Sequence, residues 1–135
     1  MTLRTKAALA CIEAGAAVLV EKPIAGTMIA AEHIAEAARS RGTVLTVGHI
    51  ERFNAAIIKL QEFLTHPGFI ESHRLGPYDP RVRDVGVVLD LMIHDIDLVL
   101  SLATAPLSGV DAVAQSVLGK REDIVHARLR FADGC

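Results

Sequence analysis

Tryptophan is absent, tyrosine occurs once, and aromatic residues make up only 4% of the 135-residue chain. A platform that stacks bases needs more aromatic faces than this. A basic surplus is missing too: 14 Lys+Arg stand against 16 Asp+Glu, a net charge of −2. A nucleic-acid binder would need that surplus to neutralise phosphates. The two cysteines, Cys11 and Cys135, are too few for a disulfide scaffold and too widely spaced for a zinc pattern. A reducing, cytoplasmic setting is therefore expected. Arg4 and Lys6 are followed by a short apolar run, Ala7 to Ile12, before Glu13 interrupts it, which is not a secretory leader. The most apolar stretch, Gly86 to Leu102, carries Asp90, His94, Asp95 and Asp97. A membrane span of roughly 20 residues would not tolerate four such groups. Gly-x-Gly-x-x-Gly is missing as well, so the chain has neither a dinucleotide fingerprint nor a phosphate loop.

What is present points to a folded domain. Hydrophobic residues make up 51% of the chain and charged residues 22%, unlike a disordered sequence. Thr2 to Ala14 reads as an Ala-rich helix stopped by Gly15. Ala16 to Val20 is an apolar run of strand length, ended by Glu21-Lys22-Pro23, because proline cannot donate to a ladder. Thr27 is placed to cap a helix reaching Arg41, with Ile29, His33, Ile34 and Ala37 on one stripe and Gly42 closing it. Thr43 to Val47 is a second apolar run. This helix–strand–helix–strand rhythm predicts adjacent parallel strands in a doubly wound sheet. Continuous apolar runs predict cover on both faces.

From Gly48 the pattern changes. Asn54 can cap a helix to about Leu64, which His66-Pro67-Gly68 breaks. Phe69 to Leu75 alternates as a strand does, and Gly76 to Asp84 reads as a loop. A long helix is expected over Val87 to Ala103, apolar almost all round and hence buried. Val110 to Leu118 and Ile124 to Phe131 read as antiparallel strands joined around Gly119-Lys120-Arg121. A chain that opens in a helix, holds only two parallel strands and stops at Asp133-Gly134-Cys135 is expected to be a fragment of a larger protein.

Two constellations could carry chemistry. Glu21-Lys22-Pro23 ends an apolar strand, and ligands of open α/β sheets bind outside the carboxyl ends of strands. A surface charge pair is the plain alternative. Asp90, His94 and Asp97 are spaced by four and three, which on a regular helix puts them on one stripe while Asp95 points away. A carboxylate one turn from a histidine orients the ring and raises its basicity, which suits acid–base work. A solvated polar face is the plain alternative here. A metal shared by Asp90 and His94, completed by His49 or His73, is a further one. No His-x-x-x-His pair or second acidic cluster supports that metal site.

With those residues in hand, the chain resembles the glucose–fructose oxidoreductase/inositol dehydrogenase/MocA family of NAD(P)-dependent oxidoreductases. The carrying segments are Val18-Leu-Val-Glu-Lys-Pro23, Val47-Gly-His-Ile-Glu-Arg-Phe-Asn54 and Asp90-x-x-x-His94-x-x-Asp97. The resemblance runs from Ala7 to Gly134. It implies that residues 1–50 form the C-terminal part of a Rossmann domain. Residues 51–135 would begin a substrate-binding α/β domain with an open antiparallel sheet.

Lys22, His94 and Asp90 then match the family's catalytic lysine, acid–base histidine and helical carboxylate. Glu21, Lys22, Pro23, Arg52 and Asn54 fall on the cofactor side. Arg74, Tyr78 and Asp97 fall on the substrate side, and no metal is implied. The phrases Gly48-His-Ile-Glu-Arg-Phe-Asn54 and Arg74-Leu-Gly-Pro77 most resemble members acting on nucleotide-linked amino sugars such as UDP-N-acetylglucosamine. The resemblance thus implies NAD or NADP as cofactor, a sugar or nucleotide-sugar substrate, a homo-oligomer, and Lys22 and His94 facing one cleft from opposite domains. Without the glycine-rich turn, weak binding of NAD(H) and NADP(H) by this chain alone is expected. A metal-dependent hydrolase and a non-catalytic remnant of such an oxidoreductase are the competing readings.

Overall fold

In a computed structural model, residues 3–77 and 85–135 are described. Thr2 and the 78–84 stretch of the expected loop, with Tyr78, lie outside them. The chain divides into two compact units, 1–49 and 50–135.

The first unit runs α1 (Leu3–Glu13), β1 (Val18–Val20), α2 (Met28–Arg41) and β2 (Leu45–Val47). Both helices end in the same way. Gly15 and Gly42 take positive φ values of 76° and 64°, a conformation glycine adopts without a Cβ penalty. The turn at Gly15 lets Ala16 N–H reach the Cys11 carbonyl, and the turn at Gly42 lets Thr43 N–H reach that of Ala38. Those bonds satisfy carbonyls that a helix end would otherwise leave bare. At the other end of α2, the Thr27 hydroxyl accepts from Ala30 N–H, as the sequence predicts.

Strands β1 and β2 pair in parallel, Val18 with Leu45 and Val20 with Val47, which is the expected adjacency. They are shorter than the apolar runs. Ala8, Ile12, Val20, Ile34 and Ala38 form the core. Thr5, Ala8 and Ile12 fall at spacings of three and four on α1, one face of a helix. On α2 the buried line is Ile34 and Ala38. Ile29 and His33, placed by the sequence on that stripe, are exposed. The expectation of cover on both strand faces also needs correction. Leu19 points away from Val20, because side chains alternate along a strand, and it is 71% exposed.

The second unit opens with a 3₁₀ turn (Ile50–Phe53) and α3 (Ala55–Phe63). Asn54 caps α3 by accepting from Ala56 N–H. Residues 69–75 form no strand, contrary to the sequence pattern. Alternation marks an extended chain, but a strand also needs a ladder partner. Among the described residues β3 and β4 pair only with each other, and Phe69 and Leu75 are 80% and 94% exposed.

The predicted single helix is a π turn over Val88–Met92 that passes into α4 (Ile93–Leu102). Ile93 N–H reaches back five residues to the Val88 carbonyl, the wider bond that defines such a turn. Most of this element is half-buried rather than enclosed. It follows that the regular 100° stripe does not extend unbroken from Asp90 to Asp97.

The unit closes with the antiparallel hairpin β3 (Leu107–Gln115) and β4 (Ile124–Phe131). Its register sets Val110 opposite Leu129, Ala112 opposite Ala127 and Ala114 opposite Val125, which makes one face apolar. Asp111 opposite Arg128 and Val113 opposite His126 make the other face more polar. Among the described residues, no helix is long and apolar enough to cross a membrane.

Candidate functional site

Each unit carries its own cluster of polar side chains. In the first, β1 ends at Val20 and the chain turns through Glu21, Lys22 and Pro23, with a cis peptide between Lys22 and Pro23. The neighbouring strand continues this edge, since Gly48 N–H donates to the Val20 carbonyl at 2.8 Å. The Glu21 carboxylate lies over Gly48. A Cβ there would come within 3.0 Å of Glu21 Oε2, so glycine leaves room for the carboxylate at the strand edge. Arg4, from α1, donates to the Pro23 carbonyl at 2.8 Å and the Lys22 carbonyl at 3.3 Å. The turn is thus held from the helix side through its backbone. Lys22 is half-buried and Glu21 exposed. This edge is the carboxyl end of a parallel pair, where ligands of open α/β sheets bind.

In the second unit, Asp90 lies within the π turn and His94 in the first turn of α4. Asp90 N–H donates to the Gly86 carbonyl at 3.1 Å. His94 is half-buried, with its Nδ1 shielded from solvent. Two arginines approach the same helix. Arg52 donates from Nε and Nη2 to the two oxygens of Asp97, both at 2.6 Å. Arg74 donates from Nε and Nη2 to the two oxygens of Asp95, at 2.9 and 3.1 Å. The Ser72 hydroxyl donates to Asp95 as well, at 2.8 Å, and Glu51 reaches Arg74 at 3.5 Å. Both pairs have the two-pronged geometry that a planar guanidinium makes with a carboxylate. The bond to Asp97 raises the Arg52 pKa and the bonds to Asp95 raise that of Arg74, each against an opposing effect of burial.

The sequence-predicted residues are therefore sorted by the fold. Glu21, Lys22 and Pro23 share the strand-end turn of the first unit, while Asp90 and His94 occupy successive turns in the second. Arg52 and Asp97, expected on the cofactor and substrate sides, are paired with each other, and Arg74 is paired with Asp95. The Asn54 side-chain oxygen caps α3. Tyr78 lies outside the described residues.

Arg4, Glu51, Ser72 and Asp95 were not singled out from the sequence. Asp95 was visible only as the acidic residue off the stripe. Its partners are 21 and 23 residues away in the chain, so no short-range pattern announces them. Among the described residues, no three His, Cys, Asp or Glu side chains stand close enough to hold a metal ion. A groove of about 620 Å³ runs between the 68–75 segment, α4 and β4. Asp90, His94 and Asp97 do not line it, so it is separate from those three side chains.

Comparison with known proteins agrees with this division of the chain. Residues 2–49 match the model of an oxidoreductase family with an NAD-binding Rossmann fold. Residues 65–135 match the GFO/IDH/MocA C-terminal domain. A UDP-N-acetylglucosamine 3-dehydrogenase of Acidithiobacillus ferrooxidans is 36% identical over 124 residues, covering 91% of this chain and 40% of that protein. Its solved structure superposes with a TM-score of 0.89 at 34% identity, over 97% of this chain and 44% of that one. An inositol 2-dehydrogenase 2 of Saccharopolyspora erythraea is 33% identical over 98 residues, 67% of this chain and 29% of that protein. The chain thus spans less than half the length of these relatives.

Proposed function

The chain belongs to the GFO/IDH/MocA oxidoreductase family, and from that premise we propose that it serves an enzyme moving hydride between a sugar or nucleotide-sugar CH–OH group and NAD or NADP. The observation that carries this reading is the placement of Lys22. It follows a short parallel strand, on the edge where open α/β sheets bind ligands, within the segment that matches an NAD-binding Rossmann model. The donor set at that edge suits the ribose and nicotinamide end of a dinucleotide. Glu21 supplies a carboxylate acceptor for hydroxyls, beside a backbone position left open by Gly48. Glu21, Lys22 and Pro23 would hold the cofactor there, and the cofactor would supply the hydride acceptor or donor.

The remaining roles fall to side chains of this chain. His94 takes the hydroxyl proton as hydride leaves the same carbon. Its Nδ1 is shielded, so Nε2 is the nitrogen assigned to meet the substrate. Asp90, within the preceding turn, orients the ring. The Lys22 ammonium donates to the developing alkoxide and stabilises its charge. Asn54 and Tyr78 are further contacts in this reading, whereas Arg52, Arg74 and Asp97 are already engaged in ion pairs. The likeness to a UDP-N-acetylglucosamine 3-dehydrogenase favours a nucleotide-linked amino sugar as substrate. The same reading assigns the enzyme to the cytoplasm as a homo-oligomer. A hydrolase built on Asp90 and His94 has no third ligand group among the described residues to support it.

The test is nicotinamide reduction by the complete enzyme that this chain serves, with UDP-N-acetylglucosamine and with inositols, in the presence of NAD⁺ or NADP⁺. His94→Ala is expected to lower turnover by roughly 10² to 10⁴ with little change in nucleotide affinity, and Lys22→Ala to impair turnover as well. No reduction with any sugar or polyol, or a fully active His94→Ala protein, would overturn the reading.

A further inference from the structure

The two arginine–carboxylate pairs on α4 stand on either side of His94. At about 100° per residue, Asp95 lies about 100° to one side of His94 around the helix. Asp97, three residues on, lies about 60° to the other side. All three fall within α4, where the regular turn holds. Each carboxylate is gripped by two nitrogens of one guanidinium.

The two guanidiniums come from separate stretches of chain. Arg52 sits in the 3₁₀ turn Ile50–Phe53, and Arg74 in the irregular segment after α3. Glu51, the neighbour of Arg52, contacts Arg74 at 3.5 Å, so the two arms are tied together. A single contact would let the helix roll about its axis. Two planar forks, set apart around that axis, oppose rotation in both directions.

We propose that Arg52 and Arg74 are positioning residues, which hold α4 by Asp97 and Asp95 so that the His94 imidazole keeps one orientation towards its substrate. The inference rests on the reading of His94 as the acid–base. It assigns the two arginines an indirect role in proton transfer, with no contact to substrate or cofactor required. Lysine cannot replace them, because an ammonium is a point charge without a fork.

The test compares Arg52→Lys, Arg74→Lys and, should either fail to fold, Asp97→Asn. In the full chain, long-range ¹H–¹⁵N spectra report the His94 ring, with His33 and His126 as internal controls. The ring signals of His94 are expected to shift or broaden in each variant, while those of the two controls stay in place. In turnover assays of the complete enzyme kcat is expected to fall roughly ten- to a hundred-fold, since small misplacements of a reacting group cost that much. The KM for the nucleotide is expected to remain within about two-fold, and the conservative lysine to restore nothing.

An unmoved His94 ring, a moved ring with unchanged kcat, or a parallel loss of kcat and nucleotide binding would each overturn the inference. If the unmutated protein turns over no sugar or polyol while the His94 ring still responds to both lysines, the functional reading falls and the clamp on α4 stands.

Discussion

The two units are held by different forces. Residues 1–49 close around five buried apolar side chains, Ala8, Ile12, Val20, Ile34 and Ala38, and finish their helices with local capping bonds. Among the described residues of 50–135, the buried apolar side chains are Phe131 and Pro67. Around α4 this unit relies instead on guanidinium–carboxylate pairs, and at the end of the chain on a hairpin ladder. The burial of apolar surface is non-directional, whereas a two-pronged ion pair fixes orientation. The first unit thus offers a stable strand edge for Lys22. The second spends its polar contacts on the angle of one helix, the one bearing His94.

The largest expected effect comes from the apolar side of this contrast. Ile34 is fully buried in the apolar core of the first unit, and truncating such a side chain leaves a cavity. Ile34→Ala should destabilise the first unit by about 2 to 5 kcal/mol. Val113→Ala, at a site 69% exposed on the hairpin, should change the second unit by no more than about 0.5 kcal/mol. Amide exchange read separately in each unit measures both. Similar losses at the two sites would erase the contrast.

A smaller effect is expected at the ion pairs. Asp95→Asn removes the main charge partner of a partly buried Arg74 while leaving Glu51 nearby. With allowance for solvent screening, a loss of about 1 kcal/mol is expected in the second unit. Raising the salt should narrow the gap between Asp95→Asn and the unmutated chain, because exposed charges are screened within a few ångströms at about 1 M ionic strength. Denaturant titration at low and high salt measures it. A gap that ignores salt would assign the role of Asp95 to packing.

The same contrast explains what the sequence alone could disclose. Thr27, Asn54, Gly15 and Gly42 act on backbone groups within a few residues, so their caps and stops are written locally. The parallel pairing of β1 and β2 follows from two apolar runs separated by one capped helix. The segment 69–75 misled because alternation is local, while a ladder partner is not. The π turn at Val88–Met92 left no mark in a hydrophobic pattern that suits either helix. Lys22, Asp90 and His94 could be singled out by motif. The partnership of Arg52 with Asp97 spans 45 residues and had no such mark. Contacts of that range are created by the fold, and side chains that look available as ligands can prove already engaged.

The smallest expected effect concerns the hairpin loop, where Asp123 gathers backbone donors. Val117 N–H donates to its Oδ1 at 2.8 Å, and Leu118 and Gly119 N–H donate to its Oδ2 at 2.6 and 2.9 Å. These bonds, those from Val117 and Leu118 foremost, lower the Asp123 pKa against a weaker effect of desolvation. A carboxylate whose folded pKa lies below its unfolded value adds stability above the unfolded value, about 4. That contribution is lost as the pH falls through the folded pKa. Acidification should therefore loosen the loop between β3 and β4 before it affects the apolar core of the first unit. The amide shifts of Val117, Leu118 and Gly119 should titrate together, with a midpoint below the ordinary aspartate range. In Asp123→Asn that common titration should vanish, because the amide carries no ionisable proton in this range. A midpoint at the ordinary aspartate value, or three amides moving independently, would show that the loop is held by its chain path rather than by the Asp123 carboxylate.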